Sequence, residues 1–290
     1  MIDFLIGLIL ALIMFSIGLS LRADNFRQLV SHPRVLLLGL GLQLLLLPVV
    51  AFVVAFMLKL PPAFAAGVIV LAACPGGLTS NFISFLLKAN TTLAVSLTIC
   101  NTGLSMLTIP VIVNLGLTTF WSGEGLQQLP ILPTAGQIFL IVLLPVLSGM
   151  VFRARKVAQA NYLQSRLRWL SLFLLGLLFA LKLLAPADAG GSNLLMTELA
   201  TILPASLIIN VCALSSGMLF GRLFGFGRND QITLGIEAGI QNTSLTFPIT
   251  PPLLETEQML KPALLHAMFT FVTGLAYCLW LTPDLSTHIR

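Results

Sequence analysis

Glu237 is the residue with the most chemistry to offer. It lies seven residues past Asp230 in an apolar segment, Gln231 to Leu253, whose middle also holds Gly239, Gln241, Asn242, Thr243 and Ser244. A carboxylate at mid-membrane depth costs roughly 2.5–3.5 kcal/mol on insertion scales, so acids placed there are usually functional. No Lys or Arg falls in the middle of any apolar segment, so a cation partner has to come from solution. Neutral side-chain oxygens that suit a small alkali cation recur elsewhere. Gln43 is the only polar residue between Val35 and Leu58; Ser80 and Asn81 stand together; Thr98 and Asn101, three apart, share one helix face. An ion site is the favoured reading over a packing role for Glu237, and a proton could fill the same role.

These residues need interrupted helices to present them. Leu60 to Leu87 is uncharged and long enough to cross a bilayer, yet Pro75-Gly76-Gly77 falls near its middle, followed by Thr79, Ser80 and Asn81. Proline removes a backbone donor and glycine is a poor helix residue, so the helix is expected to break there. The Glu237 segment repeats the pattern. Two interrupted spans in corresponding halves of a membrane protein point to a transporter's binding site. Unwinding frees carbonyls, here those of Ala238 and Ile240, for a cation. The N–H groups after each break, near Thr79 and near Asn242 and Thr243, are available to an anion.

The composition supports this frame. The chain is 57% hydrophobic and 9% charged, with mean hydropathy +1.01, which marks a polytopic helical membrane protein. The net charge of +5 is therefore no nucleic-acid signal. Uncharged windows predict nine spans: 2–21, 35–58, 62–87 (broken), 91–117, 134–152, 169–186, 195–221, 230–253 (broken) and 262–282. The run from Phe4 to Leu21 reads as a retained first span, not a signal peptide. Thr118 to Pro133 reads as an interfacial loop with Trp121, Gly123, Gly125 and Pro130.

Twelve basic residues (Arg22, Arg27, Arg34, Lys88, Arg153, Arg155, Lys156, Arg166, Arg168, Arg222, Arg228, Arg290) fall on one side of this topology. Lys59, Lys182 and Lys261 fall on the other. The excess puts the amino terminus outside and the carboxyl terminus in the cytoplasm. Lys182 is expected to snorkel, and Glu255 and Glu257 to mark the outer end of the second broken span. The two broken helices then run in opposite directions, the pattern of an inverted repeat.

Bland readings cover much of the rest. The four cysteines, Cys74, Cys100, Cys212 and Cys278, read as buried structural thiols. Ser84, Ser96, Ser105, Thr108, Ser148 and Ser215 read as packing residues, and Asn114 and Asn210 as interhelical glue. His266 reads as a hydrogen-bonded helix residue, His32 as a loop residue and His288 as part of the tail. The nineteen phenylalanines read as lipid-facing or core.

Cys74-Pro75-Gly76-Gly77 with Ser80-Asn81, and Gly235-Ile236-Glu237-Ala238-Gly239-Ile240-Gln241-Asn242-Thr243-Ser244, resemble the bile acid:sodium symporter family. The segment from Ile13 to Leu21 resembles the family's first panel helix, and Gln43 also matches. The resemblance covers nearly the whole chain and is that of a bacterial member. It implies an all-α membrane protein with a core domain (35–117 and 195–282) and a panel domain (1–34 and 134–186), its two discontinuous helices crossing. Bacterial members with ten helices carry an extra one at the start; the nine here are like the animal carriers.

The resemblance implies two sodium sites, one of Ser80, Asn81, Thr98 and Glu237, the other of Gln43, Glu237, Gln241 and the carbonyls of Ala238 and Ile240. Ala94 stands where a family ligand is often Ser. Thr270 and Phe271 stand where some members carry a His-Asn pair near the substrate. Thr79, Asn242, Thr243 and Thr270 are thus the candidate substrate residues. The implied activity is sodium-coupled symport of an organic anion across the bacterial inner membrane. The chain looks more like carriers of small carboxylates, such as pantoate or 2-oxo acids, than carriers of bile acids. The expected partners are lipid, sodium ions and the anion, with no cofactor, no nucleic acid and no obligate protein partner.

Other readings stay open. The same architecture serves proton-coupled or uncoupled exporters of the auxin-carrier or arsenite-exporter type, with Glu237 titrating in place of sodium binding. An enzyme is disfavoured: the chain has no HExxH, no Ser–His or paired-Asp arrangement across spans, and no soluble domain. A channel is disfavoured because two broken helices around one shared acid suit an occluded site.

Overall fold

In a bilayer, backbone groups must be satisfied within the chain, so apolar segments become helices. The computed structural model describes residues 2–21, 33–121, 128–184, 191–247 with 249, and 257–281, and among these the regular structure is entirely helical. Helices α1 Ile2–Ser20, α2 Pro33–Met57, α3 Pro62–Ala73, α4 Leu78–Leu86 and α5 Thr91–Phe120 come first. Then follow α6 Ile131–Arg155, α7 Val157–Leu184, α8 Met196–Leu223, α9 Arg228–Gly239 and α10 Lys261–Leu281. Among the described residues five stretches are long and apolar enough to cross a membrane: α2, α5, α6, α8, and Glu257–Tyr277, which joins a 3-10 turn to most of α10. Large apolar side chains such as Leu37, Phe56, Leu132 and Leu219 are exposed along them, as a lipid-facing surface requires.

The first break falls where the sequence places it. Helix α3, buried from Ala63 to Ala73, stops because Pro75 has no N–H to continue the ladder; Cys74 and Gly77 are extended, and α4 restarts at Leu78. Helix α9 stops at Gly239, with Ile240 extended, and a 3-10 turn covers Thr243–Thr246. The two interruptions meet: Gly76 and Gln241 form an isolated antiparallel bridge, and the Asn242 N–H donates to the Pro75 carbonyl at 2.8 Å. Asn90 caps α5 by accepting from the Leu93 N–H at 3.0 Å. Its side-chain amide donates to Asp230 at 2.7 Å, which fixes α9 beside α5.

Two helix groups are packed tightly through glycine. Helix α8 lies on α9, where a Cβ on Gly217 would fall 1.9 Å from the Gly235 nitrogen. Helix α1 lies on α6 and α7, where a Cβ on Gly18 would fall 2.1 Å from the Val146 carbonyl oxygen. Small residues permit such close approach in membranes. Helix α3 packs on α2, α5 and α10.

Several expectations change. The loop at Thr118 to Pro133 is shorter, because the Thr118 and Thr119 hydroxyls bond back to carbonyls of their own helix and α5 runs to Phe120. Helix α7 begins twelve residues earlier than the span expected at 169, so the basic stretch with Arg166 is helical. Lys182 does not snorkel: it is buried and paired with Glu257. Cys212 is exposed on the outer surface of α8, whereas Cys74 is buried at the break with its thiol donating to the Val70 carbonyl. Asn114 bonds not a helix but the backbone of Leu129, ahead of α6, in both directions, whereas Asn210 joins two helices as expected, donating from α8 to the Gly239 carbonyl of α9 at 2.8 Å. Arg22, Arg27, His32, Gly123, Gly125, Glu255, His288 and Arg290 lie outside the described residues, as do positions 248 and 250–253 of the Glu237 span.

Candidate functional site

The site forms where α4, α5 and α9 converge on the paired breaks. Glu237, two residues before the end of α9, is fully buried. Its Oε2 accepts from the Thr98 hydroxyl at 3.1 Å, and its Oε1 has no protein partner. Asn81 donates to Thr98 Oγ1 at 3.0 Å and to the Gly77 carbonyl at 3.1 Å, while its own oxygen is buried without a partner. Ser80 Oγ accepts from the Gly77 N–H and donates to the Gly77 carbonyl. A Cβ on Gly76 would meet Glu237 Oε2 at 2.6 Å and Ser80 Oγ at 3.2 Å, so only glycine lets the first break lie against the carboxylate. Ser80, Asn81, Thr98 and Glu237 are thus one cluster. The two ion pairs among the described residues, Lys182–Glu257 and Lys261–Glu198, both involve other carboxylates.

The second group adjoins it through the backbone of Glu237. Gln43 donates to the Glu237 carbonyl at 2.5 Å, and its oxygen accepts from the Asn101 amide. Gln241 donates to the Ala238 carbonyl. Carbonyls released by the end of α9 are therefore gathered by side-chain amides, with Ile240 beside them. Gln43 reaches this position because α2 contains a π-helical turn, Leu42–Leu46, in which the Leu47 N–H bonds to the Leu42 carbonyl. Pro48 causes it: the proline ring displaces the carbonyl four residues back, and the helix widens to compensate. Helix α6 has the same device over Phe139–Leu143, ahead of Pro145.

The shared face of Thr98 and Asn101 is divided between the two groups: Thr98 binds the carboxylate and Asn101 binds Gln43. Ala94 is wholly buried and offers no ligand, and Asn101, whose side-chain oxygen has no partner, supplies polarity further along that face. Sequence reasoning did not single out the π-turn, although a proline five residues beyond a lone Gln in an apolar run is a usable signal.

The candidate substrate residues fall on two cavities. One, of about 600 Å³, is lined by Thr79 and Asn81 on α4 and by Ser16, Ser20 and Gln164 across from them. It adjoins a second, sharing Thr79 and Phe271, lined also by Thr243, Thr270 and Gln241. Asn242 is apart from these: its side chain packs on Gly77 and lines a smaller space with Gly76, Thr98 and Met14. Three phenylalanines expected to be lipid-facing or core, Phe82, Phe85 and Phe271, line the large cavity. His266 is fully buried, its ring 5.3 Å from that of Phe269.

Buried hydroxyl and amide oxygens are hard neutral donors around the one carboxylate, which has no ion-pair partner among the described residues, a set that suits Na⁺.

A sequence model described as the Sodium Bile acid symporter family matches residues 7–188. The chain is 31% identical over 247 residues to "Uncharacterized sodium-dependent transporter YocS" of Bacillus subtilis (strain 168), covering 83% of this chain and 71% of that protein. It is 28% identical over 239 residues to "Probable sodium/metabolite cotransporter BASS1, chloroplastic" of Arabidopsis thaliana, covering 81% and 56%. It is 27% identical over 268 residues to "Sodium/bile acid cotransporter 4" of Homo sapiens, covering 91% and 60%. The chain thus spans less than two thirds of the plant and human relatives' length.

Proposed function

The chain belongs to the sodium bile acid symporter family, and we propose that it couples sodium entry to uptake of a small organic anion by alternating access. The relatives are named as transporters and cotransporters, not enzymes. The observation that carries the coupling is Glu237: a wholly buried carboxylate with one oxygen on Thr98 and the other without a protein partner. Charge buried in this way demands a partner. A sodium ion shared with Ser80, Asn81 and Thr98 supplies it, and a second is held by Gln43, Glu237, Gln241 and the carbonyls of Ala238 and Ile240. The anion binds in the cavities beside Thr79, Thr243 and Thr270, with Asn242 positioning the break behind them.

In this reading the chain crosses the bacterial inner membrane nine times, amino terminus outside, and the two interrupted helices cross as an inverted repeat. Helices α1, α6 and α7 form a panel that moves against a core of α2–α5 and α8–α10. Two sodium ions with one monovalent anion move one net charge. Tenfold sodium gradients contribute about 1.4 kcal/mol each and the membrane potential about 2.3 kcal/mol per 100 mV, so accumulation on the order of 10³–10⁴-fold is accessible.

A proton-coupled carrier is the second reading, in which Glu237 exchanges a proton instead of binding sodium. The deciding experiment is the thermal stability of detergent-purified protein in sodium, potassium and choline, beside Glu237→Ala. A ligand that binds only the folded state stabilises it by about 2.7 kcal/mol at 100 times its dissociation constant. A rise confined to sodium and to the native protein is expected; no sodium effect at saturation would move the function to proton-coupled or uncoupled transport.

A further inference from the structure

Gln164 and Lys182 stand towards opposite ends of α7, about 27 Å apart along its axis, which is close to the thickness of a bilayer's hydrocarbon core. At the Gln164 end two groups of helices are parted: the large cavity lies between Ser16 and Gln164 on α1 and α7 and Thr79 and Thr91 on α4 and α5. At the Lys182 end the same groups are closed on each other in two layers. The inner layer is apolar. Leu10 of α1 and Leu178 of α7 pack in one cluster with Leu71 of α3 and Leu264 of α10, and the Phe179 ring meets that of Phe247 edge to face at 5.4 Å. Phe179 also lines the second cavity, so the aromatic pair borders that space. The outer layer is the ion pair of Lys182 with Glu257.

The two ion pairs among the described residues are built differently. Lys261–Glu198 joins α10 to the start of α8, its side chains 7% and 18% exposed, and Lys261 Nζ also reaches the Asn193 carbonyl at 3.4 Å. It fixes the base of α10 within one helix group. Lys182–Glu257 crosses between the groups, from α7 to the 3-10 turn Glu257–Leu260 that leads into α10. Its carboxylate is 42% exposed and keeps water when the pair parts, so this contact separates more easily than the enclosed one. Resting on the reading of α1, α6 and α7 as a panel that moves against the core, we propose that Lys182 and Glu257 are the latch of the outer gate. Paired, they hold that end shut while the cavity is open towards Gln164; parted, they let the same space open outward. Phe179 and Phe247 are the seal beneath the latch. Phe247 directly follows the 3-10 turn Thr243–Thr246, so the seal and the proposed anion-binding Thr243 belong to one short segment.

Thr79→Cys places a thiol where the two cavities meet. A membrane-impermeant quaternary-ammonium methanethiosulfonate, applied to cells expressing the full chain or to inside-out vesicles, then reports which end is open. Labelling that depends on the introduced cysteine is followed in the otherwise native chain, with Glu257→Gln, with Lys182→Met, and with both latch substitutions together. The otherwise native chain should react fast from the cytoplasmic side and slowly from outside. Each latch variant should raise the outside rate at least about fivefold, because the rate follows the population of the outward-open state. The double variant strands no charge, so it should regain thermal stability while its outside rate stays raised, a split that a purely structural pair would not give. Outside rates at the native value in all three variants, with cytoplasmic labelling still fast, overturn the latch. So does an outside rate that falls back in the double variant as stability recovers, or no labelling from either side. Fast labelling of the native chain from outside alone, with latch variants opening the cytoplasmic side, supports the latch and reverses the proposed orientation. A raised outside rate in a protein that sodium does not stabilise supports the latch and removes sodium coupling instead.

Discussion

Lys182 at the end of α7 and Glu257 ahead of α10 form a two-pronged ion pair, with Nζ 2.8 Å from Oε1 and 3.0 Å from Oε2. Lys182 is buried while the glutamate side chain is 42% exposed, so the pair is asymmetric. Beside it Leu178, Phe247, Leu260 and Leu264 form an apolar cluster, with Phe179 and Phe247 edge to face at 5.4 Å. α7 is therefore fastened to α10 at this end of the molecule. The larger cavity separates the same helices towards Gln164, at the opposite end of α7.

Glu257→Gln should accordingly destabilise the protein by about 1–3 kcal/mol, because it strands a buried ammonium. Lys182→Met combined with Glu257→Gln should recover most of the loss, since no buried charge remains. Thermal unfolding of the two single variants and the double variant checks the coupling. Additive losses would show that the pair contributes nothing at this contact.

Thr98→Val should weaken sodium binding by tenfold or more. The hydroxyl donates to Glu237 Oε2 at 3.1 Å and accepts from Asn81 at 3.0 Å, so its removal breaks a relay from α4 to α9. Hydrogen bonds to charged groups are worth about 1.5–3 kcal/mol. Sodium titration followed by thermal shift provides the check, and an unchanged midpoint would place the ion elsewhere.

Local chemistry made the breaks and most of the cluster legible before any coordinates. Pro75-Gly76-Gly77 cannot continue a helix, and a lone acid among Gln, Asn and Thr stands out in an apolar segment. What stayed hidden was pairing at long separation. Gln43 meets Glu237 across 194 residues and Thr98 meets it across 139, which no periodicity records. Spacing put Thr98 and Asn101 on one face but could not divide them between the carboxylate and Gln43. Lys182 looked like an interfacial lysine because the sequence shows its distance from the span's end, not the glutamate that covers it. Phe82, Phe85 and Phe271 looked like lipid or core residues because apolar character does not distinguish a cavity wall from either.

Gly76→Ala and Gly217→Ala should fail differently. At Gly217 the new methyl meets backbone, the Gly235 nitrogen at 1.9 Å, so α8 and α9 must separate. Overpacking of that kind costs about 1–3 kcal/mol or more, read as lost thermal stability. At Gly76 the methyl meets the end of a side chain, Glu237 Oε2 at 2.6 Å, which can move aside. Gly76→Ala should keep most of its stability without sodium and lose the sodium-induced increment. A Gly76→Ala protein with native sodium response would show that the carboxylate position does not matter to the ion.

Pro48→Ala separates helix stability from function on α2. Proline is roughly 3 kcal/mol worse than alanine in a helix interior. Its effect here is the π-helical turn over Leu42–Leu46, which sets the direction of Gln43. With alanine the Leu44 carbonyl regains a donor, the turn can tighten to α-helical register, and Gln43 rotates away from the Glu237 carbonyl and Asn101. The gain in helix stability is then opposed by loss of those two hydrogen bonds, each worth about 0.5–1.5 kcal/mol. Stability in choline should be equal or higher, while the sodium-induced increment falls. Gln43→Leu should lose the same increment without the helix gain. Full sodium response in Pro48→Ala, with the response lost in Gln43→Leu, would mean that tertiary contacts alone hold the turn open.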